Sequence, residues 1–394
     1  MKYIILIPDG AADLPRADLG GKTPLEAART PNMDMLASKG SLGLVRTIPE
    51  GFSPGSDVAN LCVLGYDPHA YYTGRAPLEA ASIGIDLAGG QVAFRCNLVS
   101  VVNGVMNDFT AGHIGTREAD QLIGSLQGAL GDDETSFHTG LSYRHITVTR
   151  GRGLAAECTP PHDITGQTIA DHLPQGEDSD YVRDLMDRSV AVLAGHPVNQ
   201  ARLKQGKAAA DMIWLWGQGT APSMPTLEES FGITGAVITA VDLVKGLGSY
   251  AGLEVVDVPG ATGFLDTNFR GKAQYALEAL ERHDFVYIHV EAPDEASHMG
   301  DTAAKIKALE QIDGELLNPL LAGLESIGEY RLLVLPDHAT PLETMTHSDS
   351  PVPFILYDTA MPAEGGGSFT EADAAAAGLM IGKGWELMGR FLSQ

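Results

Sequence analysis

Three apolar runs in this 394-residue chain end in an acid. Asp9 closes "YIILIPDG", Asp294 follows "DFVYIHVEAP", and Asp337 follows "YRLLVLP". Imidazoles accompany two of the three. His298 comes four residues after Asp294, His338 adjoins Asp337, and His347 follows in "THSDSPVPF". Residues four apart share a helical face, so Asp294 and His298 can reach one ion. Carboxylates are hard oxygen donors and imidazoles borderline nitrogen donors, a mixture that suits Mn²⁺ or Zn²⁺ better than Ca²⁺ or a thiolate-bound metal. Six ligands are too many for one tetrahedral ion. Two ions about 3.5–4 Å apart, bridged by a phosphate or hydroxyl oxygen, account for the number. Singly, each residue reads as a loop acid or a satisfied core histidine; the repetition at strand ends makes them a set.

A metal pair of this kind calls for a nucleophile, and "FSPGSDVANLC" offers Ser56. Pro54 and Gly55 make a turn, and a helix starts at Ser56 or Asp57. An N-cap serine is common at such a place. The same geometry, with free N–H groups and the positive end of the helix dipole, also suits a phosphate. A nearby metal would lower the pKa of the hydroxyl.

The elements that must position these residues alternate. The stretches "KYIILIP", "DMIWLWGQG", "TGAVITAV", "LEVVDVPG", "DFVYIHV" and "YRLLVL" read as strands, with helical stretches between several of them. That alternation predicts an α/β domain with a mostly parallel sheet covered by helices. In such sheets ligands collect beyond the carboxyl ends of the strands, where the three acids stand. Near residue 75 the character changes: strand–turn–strand with Asn103–Gly104 as a hairpin signal, then a helix, then another strand pair. The expected organisation is one domain from residues 1–75 and 179–394, with residues 76–178 inserted as an α+β unit. "AEGGG" at 363–367 reads as a loop.

Composition narrows the function classes. The formal net charge of −25 opposes a nucleic-acid or anionic-membrane surface. No apolar run approaches the roughly 20 residues that cross a bilayer, and the N-terminal run is too short for a signal peptide. Cys62, Cys96 and Cys158 form no paired framework, so a reduced, cytoplasmic protein is expected. "LGGKTP" lacks the first glycine and the helix of a phosphate-binding Walker loop. "GLGSYAG" precedes a strand, where a dinucleotide fingerprint follows one. There is no G-x-S-x-G elbow.

The motifs "IPDGAAD", "GKTPLEAARTPNMD", "PGSDVANLCVLGYDP", "APDEASHMGD", "LPDHATP" and "THSDSPVPF" together resemble the archaeal-type cofactor-independent phosphoglycerate mutases of the alkaline phosphatase superfamily. The resemblance runs nearly end to end. It implies an alkaline-phosphatase-like, mostly parallel sheet sandwiched by helices, with a smaller capping domain inserted. It implies a metal pair, with Asp294, His298 and His347 on one ion and Asp9, Ser56, Asp337 and His338 on the other. Mn²⁺ or Zn²⁺ is expected, with Co²⁺ or Mg²⁺ as alternatives. Bisphosphoglycerate is not required.

The implied reaction interconverts 3-phosphoglycerate and 2-phosphoglycerate through phosphorylated Ser56. The insert would close over the substrate through a hinge near residues 74–77 and 176–182, keeping water from the phosphoserine. Cations for the phosphate and carboxylate would come from Arg95, Arg144, His145 and Arg117 of the insert, Arg75 at its edge and Lys272 of the main domain, arginine matching both groups bidentately. They would also offset the repulsion between an acidic protein and an anionic substrate. Three other readings use the same sequence: a homoserine kinase, for which "WLWGQG" looks like a bacterial version of the chain, a metal-dependent phosphatase, and a metal-stabilised phosphometabolite-binding protein without turnover.

Overall fold

The computed structural model describes residues 1–361 and 366–393; of the expected "AEGGG" loop, residues 363–365 lie outside them. The strands among these residues are β1 (Lys2–Pro8), β2 (Ser41–Val45), β3 (Gln91–Val102), β4 (Val105–Asp108), β5 (Thr135–Leu141), β6 (Arg144–Arg150), β7 (Met212–Gly219), β8 (Gly235–Ile238), β9 (Glu254–Val255), β10 (Phe285–Val290), β11 (Tyr330–Val334), β12 (Val352–Asp358) and β13 (Met380–Ile381). The chain divides into two units, one of Met1–Tyr72 with Ser223–Gln394 and one of Thr73–Pro222.

The first unit is built on an eight-stranded sheet in the order β13-β2-β12-β11-β1-β10-β8-β9. β1 lies between β10 and β11 and is parallel to both, while β12 runs antiparallel to β11 and to β2. Strands buried on both faces read as continuous apolar runs. Accordingly β10 and β11 are buried along their whole length, and Ile4, Ile5, Leu6 and Ile7 of β1 are fully buried. Because the three central strands share one direction, their carboxyl ends emerge side by side. Register places Pro8 beside Val290 and Leu6 beside Val334. The mostly parallel, helix-covered sheet that the sequence predicts is the one found. No helix among the described residues is long and apolar enough to cross a membrane.

The second unit has an antiparallel sheet. Its central strand β3 pairs with β6 and with β7 over overlapping residues, and with β4 at its far end; β5 adds to β6. The helices Thr116–Leu130 and Ser179–Leu193 pack on one face, where Leu122, Leu126, Val182 and Met186 join Phe94, Cys96 and Leu98 of β3 in one core. The short helix Arg75–Ser82 lies on the opposite face, against Ala93, Ile146 and Val148.

This corrects the expected boundary at residue 178. The helix Ser179–Leu193 and β7 belong with the inserted unit, because β7 pairs with β3 from Ala93↔Gly219 to Val99↔Met212. An unbroken apolar run such as "MIWLWG" fits either sheet by pattern, and only its pairing partner decides between them. The predicted second hinge segment, 176–182, therefore lies inside the unit.

The two chain connections of the second unit touch each other. Thr73 Oγ1 donates to the carbonyl of Thr220 at 2.6 Å. A Cβ on Gly74 would collide with the Gln218 carbonyl, and one on Gly219 with the Thr73 carbonyl. Gly219→Ala is expected to cost about 1–3 kcal/mol, as overpacking against backbone does. A urea titration should show a lower midpoint at unchanged slope.

Candidate active site

Each expected metal-site acid leaves its strand by a short, constrained turn. After β1 the chain bends at Gly10, whose φ of +61° and closeness to Asp294 and Thr340 leave no space for a Cβ. Asp9 is buried there. After β10 the helix Ala292–His298 starts with Pro293 in its first turn, which sets Asp294 and His298 one turn apart on one face. After β11, Asp337 Oδ1 accepts from the backbone N–H groups of Gly10 (3.3 Å) and His338 (3.0 Å), and Oδ2 accepts from Asn60 Nδ2 (2.8 Å).

Three donor sets result, each with its ligand atoms within 4.8 Å of one another: Asp294 with His298 and His347, Asp9 with His289 and Asp337, and Asp9 with Asp294 and His338. In the first, His298 Nε2 lies 3.0 Å from Asp294 Oδ2 and 3.2 Å from His347 Nε2. His298 Nδ1 lies 2.9 Å from the carbonyl of Met345. A carbonyl only accepts, so Nδ1 carries a proton; the hydrogen bond to the Asp294 carboxylate raises the imidazole to about 9, so Nε2 donates to Asp294 until an ion takes the place of that proton. Met345 itself stands in the left-handed region, with φ +54°.

The tautomer of His338 follows in the same way. Thr340 Oγ1 donates its single proton to Asp294 Oδ1 at 2.6 Å, so at 3.1 Å it must accept from His338 Nδ1. Nε2 of His338 then carries a lone pair, 3.1 Å from Ser56 Oγ and 3.5 Å from Asp9 Oδ1. Ser56 opens the helix Ser56–Val63, with Gly55 as its N-cap. The preceding loop is fixed by Phe52, packed edge-on against His69 and Tyr72 with centroids 5.0 and 5.9 Å apart. Tyr72 also donates to Asp57 Oδ2 at 2.5 Å.

Three buried acids converge here. Burial, with Asp337 and Asp294 close by, holds the Asp9 carboxyl well above the usual range. Burial would also raise Asp294 and Asp337. In Asp294 the hydrogen bonds to His298 and His347 outweigh it, and in Asp337 the charges of His338 and His289 do, so both are held below the ordinary value. Asp9 Oδ1 is buried with no hydrogen-bond partner among the described residues. An orphaned carboxylate oxygen, the inward-facing lone pair of His338 and three crowded acids are what a pair of divalent ions would satisfy. The donor set thus fits divalent metal ions.

A second cluster lies in the Thr73–Pro222 unit. Glu79 lies 3.1 Å from Arg75 Nε and 2.8 Å from Arg95 Nε, and Arg144 is near enough to act on the charges of both Glu79 and Arg95. Burial lowers the guanidinium of Arg95 to about 10, with Arg75 and Arg144 adding to the effect against Glu79. Arg95 stacks 4.2 Å above the Trp216 ring, whose Nε1 donates to Asn97 Oδ1. Arg75 and Arg95 both pair with the Glu79 carboxylate, and Arg144 adds its charge nearby.

Two of the chain's relatives and the family models now bear on this geometry. A model described as 2,3-bisphosphoglycerate-independent phosphoglycerate mutase matches residues 37–199, and one for type I phosphodiesterases and nucleotide pyrophosphatases matches residues 161–354. A probable 2,3-bisphosphoglycerate-independent phosphoglycerate mutase of Geobacter sulfurreducens is 52% identical over 399 residues, with both chains fully covered. The chain belongs to the cofactor-independent phosphoglycerate mutase family. A mutase of that name from Methanosarcina acetivorans is 50% identical over 99% of each chain. A solved structure of a Pyrococcus horikoshii protein, 30% identical, superposes with a TM-score of 0.85 over the whole of this chain and 98% of that one. The cofactor-independent phosphoglycerate mutase of Thermoplasma acidophilum, 27% identical, gives 0.68 with both chains fully covered.

In this family member the seven expected residues, Asp9, Ser56, Asp294, His298, Asp337, His338 and His347, meet at the carboxyl ends of β1, β10 and β11. The expected cations divide. Arg75, Arg95 and Arg144 gather around Glu79. His145 does not join them: neighbours in a strand point to opposite faces, so it turns to the face away from Arg144. There it is buried and burial pushes its imidazole down to about 3, which keeps it neutral, with Nδ1 accepting from Gly140 N. Arg117 stands exposed on the first turn of the helix Thr116–Leu130, with no ion pair to the cluster among the described residues. Lys272 is buried in the first unit, donates to the carbonyl of His289 at 2.9 Å, and is lowered to about 8 by burial.

Sequence reasoning missed His289, whose Nε2 lies 3.0 Å from Asp9 Oδ2. Its signal was an imidazole inside the apolar strand "FVYIHV". It also missed Asn60 and Thr340, which no spacing rule marks.

Proposed function

We propose that the protein interconverts 3-phosphoglycerate and 2-phosphoglycerate without bisphosphoglycerate, through a phosphoserine at Ser56. The observation that carries this reading is the Ser56 hydroxyl, 3.1 Å from His338 Nε2, which itself lies 3.5 Å from Asp9 Oδ1. Asp294, His298 and His347 would hold one divalent ion, and Asp9, Asp337, His338 and Ser56 the other, with Mn²⁺ or Zn²⁺ preferred by the mixed oxygen and nitrogen donors. Ions bound there would polarise the phosphoryl oxygens and lower the pKa of the Ser56 hydroxyl.

Ser56 Oγ attacks phosphorus in line. The new O–P bond forms as the bond to the glycerate oxygen breaks, and glycerate leaves carrying the proton that serine has lost. Glycerate stays held, and its other hydroxyl takes the phosphoryl group back, which returns the serine proton. We assign Arg75, Arg95 and Arg144 to the anionic groups of phosphoglycerate, which a guanidinium matches bidentately. Glu79 keeps the guanidiniums in place. Arg144→Ala is expected to raise KM for 3-phosphoglycerate about tenfold or more, the loss of one charge-assisted pair of about 1.5–3 kcal/mol, with a smaller change in kcat. Steady-state kinetics read the split.

The test is an enolase-coupled assay on metal-stripped protein, supplied with 3-phosphoglycerate and Mn²⁺, Zn²⁺ or Co²⁺, and no bisphosphoglycerate. Metal-restored formation of 2-phosphoglycerate supports the reading. Its absence, with ATP-dependent phosphorylation of homoserine instead, would replace it.

A further inference from the structure

The helix of Ser56 and the loop of Asp337 are joined by one amide. Asn60 lies one turn after Ser56 and is fully buried, as are Tyr287 in the middle of β10 and Asp337 beyond β11. The two protons of Asn60 Nδ2 go to the carbonyl of Ser56 and to Asp337 Oδ2, each at 2.8 Å. Asn60 Oδ1 accepts from the Tyr287 hydroxyl at 2.5 Å.

The carboxylate and the carbonyl decide which way the amide faces. Both only accept, so Nδ2 must face them, and Oδ1 is left to accept from the Tyr287 hydroxyl. A flipped amide would set Oδ1 against Asp337 Oδ2 and the Ser56 carbonyl, acceptor against acceptor among buried groups. Asp337 is thereby gripped from both sides, by the Gly10 and His338 N–H groups on Oδ1 and by Asn60 on Oδ2. Buried polar groups are tolerated only when fully satisfied, and a satisfied network fixes one geometry.

We propose that Asn60, braced by Tyr287, is the positioning residue that sets Ser56 and Asp337 in register for the ion they would share. This rests on the metal-pair reading given above. Amino-acid side chains that orient metal ligands change affinity about 10–100-fold when removed, and that range is the expected effect here.

Calorimetric titration of metal-stripped protein with Mn²⁺ tests it. Wild-type protein is expected to bind two equivalents; if it does not, the metal-pair reading fails and this inference falls with it. In Asn60→Leu, which keeps the volume and loses the donors, one equivalent should weaken about 10–100-fold while the other holds its wild-type affinity. Turnover should fall in kcat, with KM for 3-phosphoglycerate within about twofold of wild type. Tyr287→Phe keeps the ring and should weaken the same equivalent by a smaller factor. Equal weakening of both equivalents, with a lowered melting temperature, would make Asn60 a general support and overturn the proposal. Wild-type affinity at both equivalents would also overturn it. Should Asn60→Leu fail to fold, Tyr287→Phe decides: unchanged Mn²⁺ affinity counts against the proposal, and selective weakening for it.

Discussion

Ser56→Ala is expected to reduce mutase turnover by about 10⁴-fold or more, the scale on which loss of a catalytic nucleophile is felt. The argument is one of position. Ser56 Oγ is the hydroxyl that meets His338 Nε2, and the helix it opens is packed by Phe52, Tyr72 and Asn60 whatever the side chain at 56. Removing a single oxygen atom therefore leaves the scaffold in place, and melting temperature should move little. The variant should still bind one divalent ion at Asp294, His298 and His347, and bind the second more weakly for want of one ligand. After exposure to 3-phosphoglycerate, intact-mass measurement should find no phosphorylated protein, whereas wild-type protein trapped in acid should carry one phosphoryl group. An unchanged initial rate in Ser56→Ala protein with its metals bound would sink the phosphoserine route.

Asp294→Asn should have the next largest effect, about a thousandfold in kcat, equal to about 4 kcal/mol of transition-state stabilisation. The substitution is nearly isosteric, so the fold should survive. Its consequence is electrical. Asp294 faces both His298 and His347, and it also holds the Thr340 hydroxyl that sets the His338 tautomer. An amide placed there donates charge to no ion, and its NH₂ group could turn toward Thr340 Oγ1 and reverse that hydrogen bond. Metal analysis after dialysis should recover one equivalent where wild type retains two. A variant that keeps both ions and full activity would mean that the ion pair is held elsewhere.

Much of the site was legible because it lies at strand ends. Apolar runs as plain as those before Asp9, Asp294 and Asp337 allow their carboxyl ends to be located to within a residue or two, and parallel neighbours bring those ends together. The residues behind this layer left weaker marks. His289 hides in a strand whose other members are apolar, and Asn60 follows from nothing but its place one turn after Ser56. The separation of Arg144 from His145 was available in principle, since alternation along "YRHITV" sends neighbours to opposite faces. The membership of β7 was not available. Its residues are equally suited to either sheet, and its partner β3 lies more than a hundred residues earlier.

The crossing at Gly74 and Gly219 makes the second unit a separable cassette. Its two ends meet where Thr73 Oγ1 bonds the Thr220 carbonyl and Gly74 and Gly219 lie against the opposite segment's carbonyls, so they are already adjacent, as those of inserted domains usually are. A short glycine linker across that contact could close the host chain over the gap, and the excised piece could be grafted at another such paired opening. Exchange of cassettes between lineages would then alter which anion is recognised without disturbing the strand-end acids, and the two glycines mark where such a recombination would have its seams.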